Sequence, residues 1–160
     1  MRRTILEQEE NIMIAIGCDH GGYALKQRLI HYLEERGLPY LDCGCNGQES
    51  CDYPVFGHAA ARAVAEGRCE KGIVICTTGI GISISANKVP GIRCALCGDV
   101  LSAKLTRLHN DANMLALGAG IVGENLALEI VDTFLNTAFS GEERHKRRIG
   151  LIEDIEHPLK

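Results

Sequence analysis

The sequence predicts a three-layer α/β/α protein built on a five-stranded parallel sheet. Short apolar segments alternate five times with longer segments in which apolar residues recur at helical spacing. The short segments are continuously apolar, as is typical of parallel strands that helices cover on both faces. With 160 residues, 46% of them hydrophobic, the chain is long enough to bury the core of one such domain.

The first part of the chain contains two strand–helix units. Residues 12–17 (IMIAIG) predict a buried strand, and residues 23–37 predict an amphipathic helix that Gly37 closes. Residues 38–44 (LPYLDCG) predict the second strand. Residues 56–67 (FGHAAARAVAEG) predict the helix that follows it, which also ends at a glycine.

The middle of the chain repeats this order twice. Residues 71–76 (KGIVIC) predict the third strand, and residues 81–89 predict a helix that stops before Pro90, because proline cannot continue the hydrogen bonding of a helix. Residues 92–97 (IRCALC) predict the fourth strand, and residues 100–110 (VLSAKLTRLHN) predict the fourth helix.

The last part of the chain adds one strand and two helices. Residues 112–118 (ANMLALG) predict the fifth strand, and residues 124–139 and 142–156 predict the two helices. No internal repeat, low-complexity tract or linker divides the pattern. We therefore predict a single Rossmann-like domain over residues 12–160, preceded by an N-terminal extension at residues 1–11.

The charge and hydropathy of the chain exclude several classes of protein. A formal charge of -4 and a pI near 5.9 argue against a nucleic-acid binder or a polybasic membrane protein, since either needs a broad cationic surface. No apolar run approaches the roughly 20 residues of a membrane span, and the first residues lack the apolar core of a signal peptide. We expect a cytoplasmic protein.

Eight cysteines are spread over the chain, and free thiols are the expectation, because there is no export signal and the core is adequate without disulfides. The pairs Cys43–Cys45 and Cys94–Cys97 leave open a four-thiolate zinc site. The eight are Cys18, Cys43, Cys45, Cys51, Cys69, Cys76, Cys94 and Cys97.

Ligands of open parallel sheets bind beyond the carboxyl ends of the strands, so the residues that follow each strand are the candidates for chemistry. The loop from Thr77 to Gly81 follows the third strand, and its backbone amides can hold an anion or an oxyanion. The loop is neither a phosphate-binding loop with Gly-Lys-Ser/Thr nor a complete dinucleotide fingerprint. Taken alone, it is equally compatible with a simple turn.

Cys76 ends the third strand beside this loop, where an anion-friendly environment favours a thiolate that can act as base or nucleophile. A buried cysteine without chemistry is the alternative. The pair Asp19-His20 follows the first strand and can reach the same crevice as a polar clamp. Alternatively, Asp19 caps the helix that begins near Tyr23.

His109 and Asn110 end a helix, so the topology puts them at the opposite end of the sheet from Cys76. If His109 takes part in the chemistry, a second subunit must bring it there, which predicts a homodimer with shared sites. Otherwise it is a solvated histidine at a helix end. Arg144 and Arg148 lie one helical turn apart and form a suitable fork for a phosphate dianion, or else part of a solvated basic face.

Together these segments resemble the ribose-5-phosphate isomerase type B family, which also contains the subunits of galactose-6-phosphate isomerase. The resemblance runs from about residue 12 to residue 156. It is carried by GCDHGGYALK, DCG, DYP, ICTTGIGISISANK, GIRCAL, LHNDANMLALG and ERHKRR.

The resemblance implies an aldose–ketose isomerase of phosphosugars that works through a cis-enediolate, without a metal or other cofactor. It implies that Cys76 is the base, that Thr78 assists it and that His109 opens the furanose ring, in a site shared by two subunits of a dimer or tetramer. It further implies that the substrate-binding residues are Asp19, His20, Tyr53, Thr77, Gly79, Ile80, Gly81, Asn110, Arg144 and Arg148.

Two differences from other family members bear on the base and on the substrate. Some relatives have a glutamate base a few residues after Cys76, where this chain has Ile82, Ser83 and Ile84, so Cys76 is the expected base. Many ribose-phosphate members have an arginine where this chain has Ala119-Gly120-Ile121. Ribose 5-phosphate is the expected substrate. A six-carbon phosphosugar, a non-catalytic phosphosugar- or nucleotide-binding module, and a thiol redox or zinc-storage role remain the alternatives.

Overall fold

A computed structural model describes residues 12–157 and confirms the predicted fold class: a five-stranded, all-parallel sheet with six α-helices. A 3-10 helix, His20–Gly22, links the first strand to the first α-helix. The strands are β1 Ile14–Cys18, β2 Tyr40–Asp42, β3 Lys71–Cys76, β4 Cys94–Leu96 and β5 Met114–Gly118. The helices are α1 Tyr23–Glu35, α2 Tyr53–Ala65, α3 Ile80–Ala86, α4 Val100–Asn110, α5 Glu124–Asn136 and α6 Glu143–Glu156.

The strand order in the sheet is β2-β1-β3-β5-β4, so β3 is the central strand. The chain runs outward from β1 to β2, then returns past β1 to start β3. The order therefore reverses between β1 and β3, and such a switch point opens a crevice at the carboxyl ends of the two strands. Cys18 ends β1 opposite Ile75, and Cys76 ends β3 opposite Gly118.

Two layers of helices bury the two faces of the sheet. Side chains of successive strand residues point to opposite faces. Ile73 and Ile75 therefore pack in the cluster with α1 and α5, while Val74 and Cys76 pack in the cluster with α2 and α3. Strands β1 and β5 are buried along their whole length, as their continuous apolar sequences predict.

The boundaries differ from the prediction mainly at the edges of the sheet. Strands β2 and β4 have only three residues each and are half exposed, because each has a partner strand on one side only. Helix α2 begins at Tyr53, earlier than predicted, because Pro54 is well accommodated in the first turn of a helix. The predicted N-terminal extension, residues 1–11, lies outside the described residues.

The zinc site suggested by the cysteine spacing is wrong. Cys43 and Cys45 follow β2, and Cys94 and Cys97 lie at β4, so the two pairs are at opposite edges of the sheet. Over residues 12–157 all eight cysteines are free. Within the same range, no helix is long and apolar enough to cross a membrane.

Candidate active site

An open cleft of about 510 Å³ lies at the carboxyl ends of β1 and β3, where the strand order reverses. It brings together residues from the β1 loop, the start of α2 and the turn before α3, as the sequence predicts for this edge of the sheet. The lining residues are Asp19, Tyr53, Cys76, Thr77, Thr78, Ile80, Gly81 and Ile84.

Cys76 sits at the base of this cleft as the last residue of β3, and only 4% of it is exposed. Its Sγ accepts a hydrogen bond from the backbone amide of Gly79 across 3.1 Å. A donor at this distance stabilises negative charge on the sulfur. The backbone amide of Ile80 donates to Thr78 Oγ1 at 3.2 Å, which fixes the second half of the turn.

Only glycine fits at position 79. Its φ of +76° lies in the left-handed region, and a Cβ there would lie 2.5 Å from Leu96 Cδ1 and 2.8 Å from the carbonyl carbon of Leu117. The backbone of the turn therefore packs directly against β5. This close approach is what directs the Gly79 amide at Cys76.

Asp19 lines the cleft and also caps a helical turn, which is the 3-10 turn and not α1 itself. Its Oδ1 accepts hydrogen bonds from the amides of Gly21 at 2.9 Å and Gly22 at 3.2 Å, so it caps the turn before α1. It is also 5% exposed and lines the cleft. His20 is exposed outside the lining of the cleft, and its Nδ1 accepts the Cys51 amide at 3.2 Å.

The side wall of the cleft combines Tyr53 with the start of α3. A Cβ at Gly81 would lie 2.5 Å from Cζ of Tyr53, so the absence of a side chain at Gly81 leaves room for the ring. Ile84 completes the wall one turn after Ile80, although we did not predict it as a site residue. Helical spacing from Ile80 is the signal that could have found it.

His109 and Asn110 are not part of this cleft. They end α4, whose next strand, β5, runs parallel to β3, so they lie near the amino ends of the strands. The imidazole of His109 stacks on that of His145, with ring centroids 4.5 Å apart. Asn110 is exposed, and its backbone oxygen accepts a hydrogen bond from Arg93 Nε at 2.9 Å.

Arg144 and Arg148 are exposed on α6, four residues apart on the same side of the helix. Arg144 Nε lies 2.8 Å from a carboxylate oxygen of Glu142, whereas Lys146 pairs with Glu143 at 3.0 Å. The stacked rings connect α4 to α6, so His109 and the two arginines lie in the same part of the structure, at the contact between these two helices. The predicted site residues thus fall into two groups, one at each end of the sheet.

No three histidine, cysteine or carboxylate side chains converge on a metal position anywhere between residues 12 and 157. The polar groups that meet at the cleft are a thiol, two threonine hydroxyls, a carboxylate, a phenol and backbone amides. These groups can exchange protons and hold a polyhydroxylated anion.

Comparison with known proteins places the chain among isomerases. The family model described as Ribose/Galactose Isomerase matches residues 14–152. The chain is 47% identical over 143 residues to ribose-5-phosphate isomerase B of Escherichia coli, covering 89% of this chain and 95% of that protein. It superposes on ribose-5-phosphate isomerase B of Clostridium thermocellum with a TM-score of 0.90 and 54% identity, covering 91% and 98% of the two chains. The enzyme of Mycoplasma genitalium with bound ribulose 5-phosphate gives a TM-score of 0.87 at 36% identity, covering 92% and 97%.

Proposed function

The chain belongs to the ribose/galactose isomerase family and is a sugar phosphate isomerase, and from this premise we propose that it interconverts ribose 5-phosphate and ribulose 5-phosphate. The reaction runs through a cis-enediolate without a metal, and Cys76 is the base. The observation that carries this proposal is the cleft at the switch point, where the Cys76 thiol and a turn of backbone amides face the same space.

The chemistry follows from this arrangement. With an open-chain aldose in the cleft, the Cys76 thiolate takes the proton from C2, and the electron pair moves to the C1 oxygen. Amides of the turn from Thr77 to Gly81 stabilise the negative charge on that oxygen, because preorganised donors cost no reorganisation during the reaction. The thiol then returns the proton to C1 while the proton of the C2 hydroxyl passes to the C1 oxygen, assisted by Thr78, and the ketose forms.

The remaining residues bind the sugar and its phosphate. Asp19 and Tyr53 line the cleft, so they are placed to contact sugar hydroxyls. We also assign substrate binding to His20, which follows Asp19 in the sequence, although His20 is not among the residues that line the cleft. Arg144 and Arg148 bind the phosphate as a pair of guanidinium groups.

A second subunit completes the site in this proposal. His109, Asn110 and the two arginines lie away from Cys76 in one chain, so a neighbouring chain must supply them to the cleft. The surface beside the cleft supports such a contact, because Ile80, Leu96 and Ile121 are exposed around an apolar depression of about 280 Å³. We propose a homodimer with active sites shared between subunits.

A six-carbon phosphosugar is a second candidate substrate because of Gly120. This exposed residue donates its amide to the Thr77 oxygen at 2.8 Å, directly behind the turn that holds the enediolate. A Cβ there would lie 3.1 Å from Thr77 Cγ2, so a larger residue requires the turn to shift slightly. The glycine therefore leaves the surface behind this turn without a guanidinium or any other side chain.

Initial isomerisation rates on ribose 5-phosphate and on allose 6-phosphate test the substrate. We expect a higher kcat/KM on the pentose phosphate. Activity on the hexose phosphate alone would mean that the pocket is specific for a six-carbon phosphosugar. Saturable binding of a phosphosugar or nucleotide with no turnover would instead favour a binding module and overturn the proposal.

A further inference from the structure

His145 is a buried histidine that the proposed reaction does not use. It lies on α6 between the two arginines, yet only 5% of it is exposed, whereas Arg144 and Arg148 are exposed. Its ring stacks on His109, with centroids 4.5 Å apart and planes inclined by 17°. A nearly parallel contact of this kind fixes the plane of both rings.

The polar edge of His145 is left without a partner. Its Nε2 is buried, and no hydrogen-bond partner reaches it within residues 12–157. The Glu142 carboxylate is 4.0 Å away and is already paired with Arg144 at 2.8 Å. Nothing within residues 12–157 compensates this buried nitrogen, so the ring is held against His109 at a cost in desolvation.

The electrostatic surroundings of His145 favour the neutral form of its ring. Burial lowers the pKa of His145, and the nearby charges of His109 on α4 and of Arg144 and Arg148 on α6 lower it further, against the opposing carboxylate of Glu142. A neutral ring can stack on His109 in either protonation state of His109 without repulsion between two charges.

We propose that His145 is the positioning residue of His109: its stacked ring holds the His109 imidazole in the plane from which it transfers a proton to and from the furanose ring. The inference rests on the proposed function, in which His109 opens that ring. His145 acts through His109 and does not itself touch the sugar.

Helix geometry argues against the other evident role, in which Nε2 binds the phosphate directly. With 3.6 residues per turn, His145 projects about 100° away from Arg144 and about 60° away from Arg148 around α6. The arginines point to solvent, while His145 points at α4. The phosphate fork and the stacked ring therefore use different sides of the same helix.

Two substitutions separate these roles. His145→Phe keeps a flat ring on His109 but removes both nitrogens, and His145→Ala removes the ring. We expect His145→Ala to lower kcat on ribose 5-phosphate at least about tenfold with KM changed by less than about twofold, and His145→Phe to recover most of that kcat. Thermal unfolding of both variants shows whether the fold is intact at the assay temperature.

A substrate-free measurement reports the stack itself. The ring protons of His109 lie over the face of His145, so their NMR shifts carry its ring current. They should move towards the values of a free imidazole in His145→Ala and stay displaced in His145→Phe. Unchanged His109 shifts in a folded His145→Ala protein would contradict the positioning role.

The remaining outcomes also decide the matter. If His145→Phe is as impaired as His145→Ala and KM rises in both, Nε2 binds the phosphate and the positioning role is wrong. If both folded variants keep the wild-type kcat, His145 is only structural. A wild-type protein that isomerises neither ribose 5-phosphate nor allose 6-phosphate overturns the proposed function, and this inference with it, whatever the variants do.

Discussion

The amide of Gly79 donates a hydrogen bond to the Sγ of Cys76 across 3.1 Å, within the turn that leads from the central strand into α3. The same turn presents the thiol and the backbone donors to the same cleft. In the proposed mechanism these groups are the base and the oxyanion donors, and because one turn holds both they need little rearrangement when the substrate arrives. This relationship explains why a cysteine directly precedes a glycine turn in the sequence.

Gly79→Ala should impair both the fold and the activity. The alanine would meet about 1–2 kcal/mol of left-handed backbone strain and roughly 1–3 kcal/mol of overpacking against β5. Gly67 is the matched control, because its φ of +75° is nearly the same but no atom lies within 4 Å of a Cβ there. Urea unfolding should show a larger loss of stability for Gly79→Ala than for Gly67→Ala. Initial rates should show a large loss of activity for Gly79→Ala alone. Equal losses in the two variants would refute the close packing of this turn.

Arg148→Ala should weaken substrate binding more than turnover. Loss of a charge-assisted contact with the phosphate is worth about 1.5–3 kcal/mol, which corresponds to roughly a tenfold to hundredfold rise in KM. Steady-state kinetics on ribose 5-phosphate measure it. Arg147→Ala removes the adjacent exposed charge of the same helix and should leave KM near the wild-type value. If both variants raised KM equally, the phosphate would be attracted by the combined positive charge of the basic residues of α6 and not bound by Arg144 and Arg148 specifically.

Two inactive variants should restore activity to each other if the site is shared. Cys76→Ala and His109→Ala are each expected to be inactive, but a mixed dimer has one site that combines an intact Cys76 with an intact His109 of the other subunit. Unfolding and refolding an equimolar mixture should recover about a quarter of wild-type activity, since half of the dimers are mixed and each has one intact site. Recovery no greater than the sum of the separate variants would place both residues in the same subunit's site.

Acid should destabilise the wild-type protein partly through His145. Burial lowers the pKa of His145 in the fold, so the unfolded chain binds this proton more readily. The free energy of unfolding therefore falls as the pH drops through and below the ordinary histidine range near about 6.5. Urea unfolding at neutral and mildly acidic pH should show a smaller acid-induced loss for His145→Phe than for the wild type. His58→Gln, a change at an exposed histidine, should leave that loss unchanged, and equal losses in all three proteins would contradict the prediction.

The strands in the interior of the sheet could be predicted closely from the sequence, whereas for the two edge strands the sequence predicts the position but not the short length. β1, β3 and β5 have neighbours on both sides and are buried almost throughout, so their apolar runs predict them well. The edge strands β2 and β4 keep only three residues each, because their length depends on pairing with one neighbour rather than on their own composition.

The cleft residues that directly follow β1 and β3 were predictable from their position, whereas Ile84 was not. Cys76 ends β3 and Asp19 directly follows β1, the neighbouring strand at the switch point, which the alternation of elements already implies. His145 escaped prediction because it lies in the charged segment ERHKRR, which predicts a solvated face. Only the packing of α6 against α4, a contact between distant parts of the chain, buries its ring on His109.

The initial rate of ribose 5-phosphate isomerisation by wild-type and Cys76→Ala proteins tests the central claim most directly. Cys69→Ala is the matched control, since it removes another buried thiol that lies before β3, away from the cleft. We predict that Cys76→Ala loses at least about 100-fold in kcat, as expected for the loss of a proton-transferring base, while a folded Cys69→Ala protein stays close to the wild type. A folded Cys76→Ala protein with the wild-type rate would show that another group moves the proton, and the mechanism proposed for this site would be wrong.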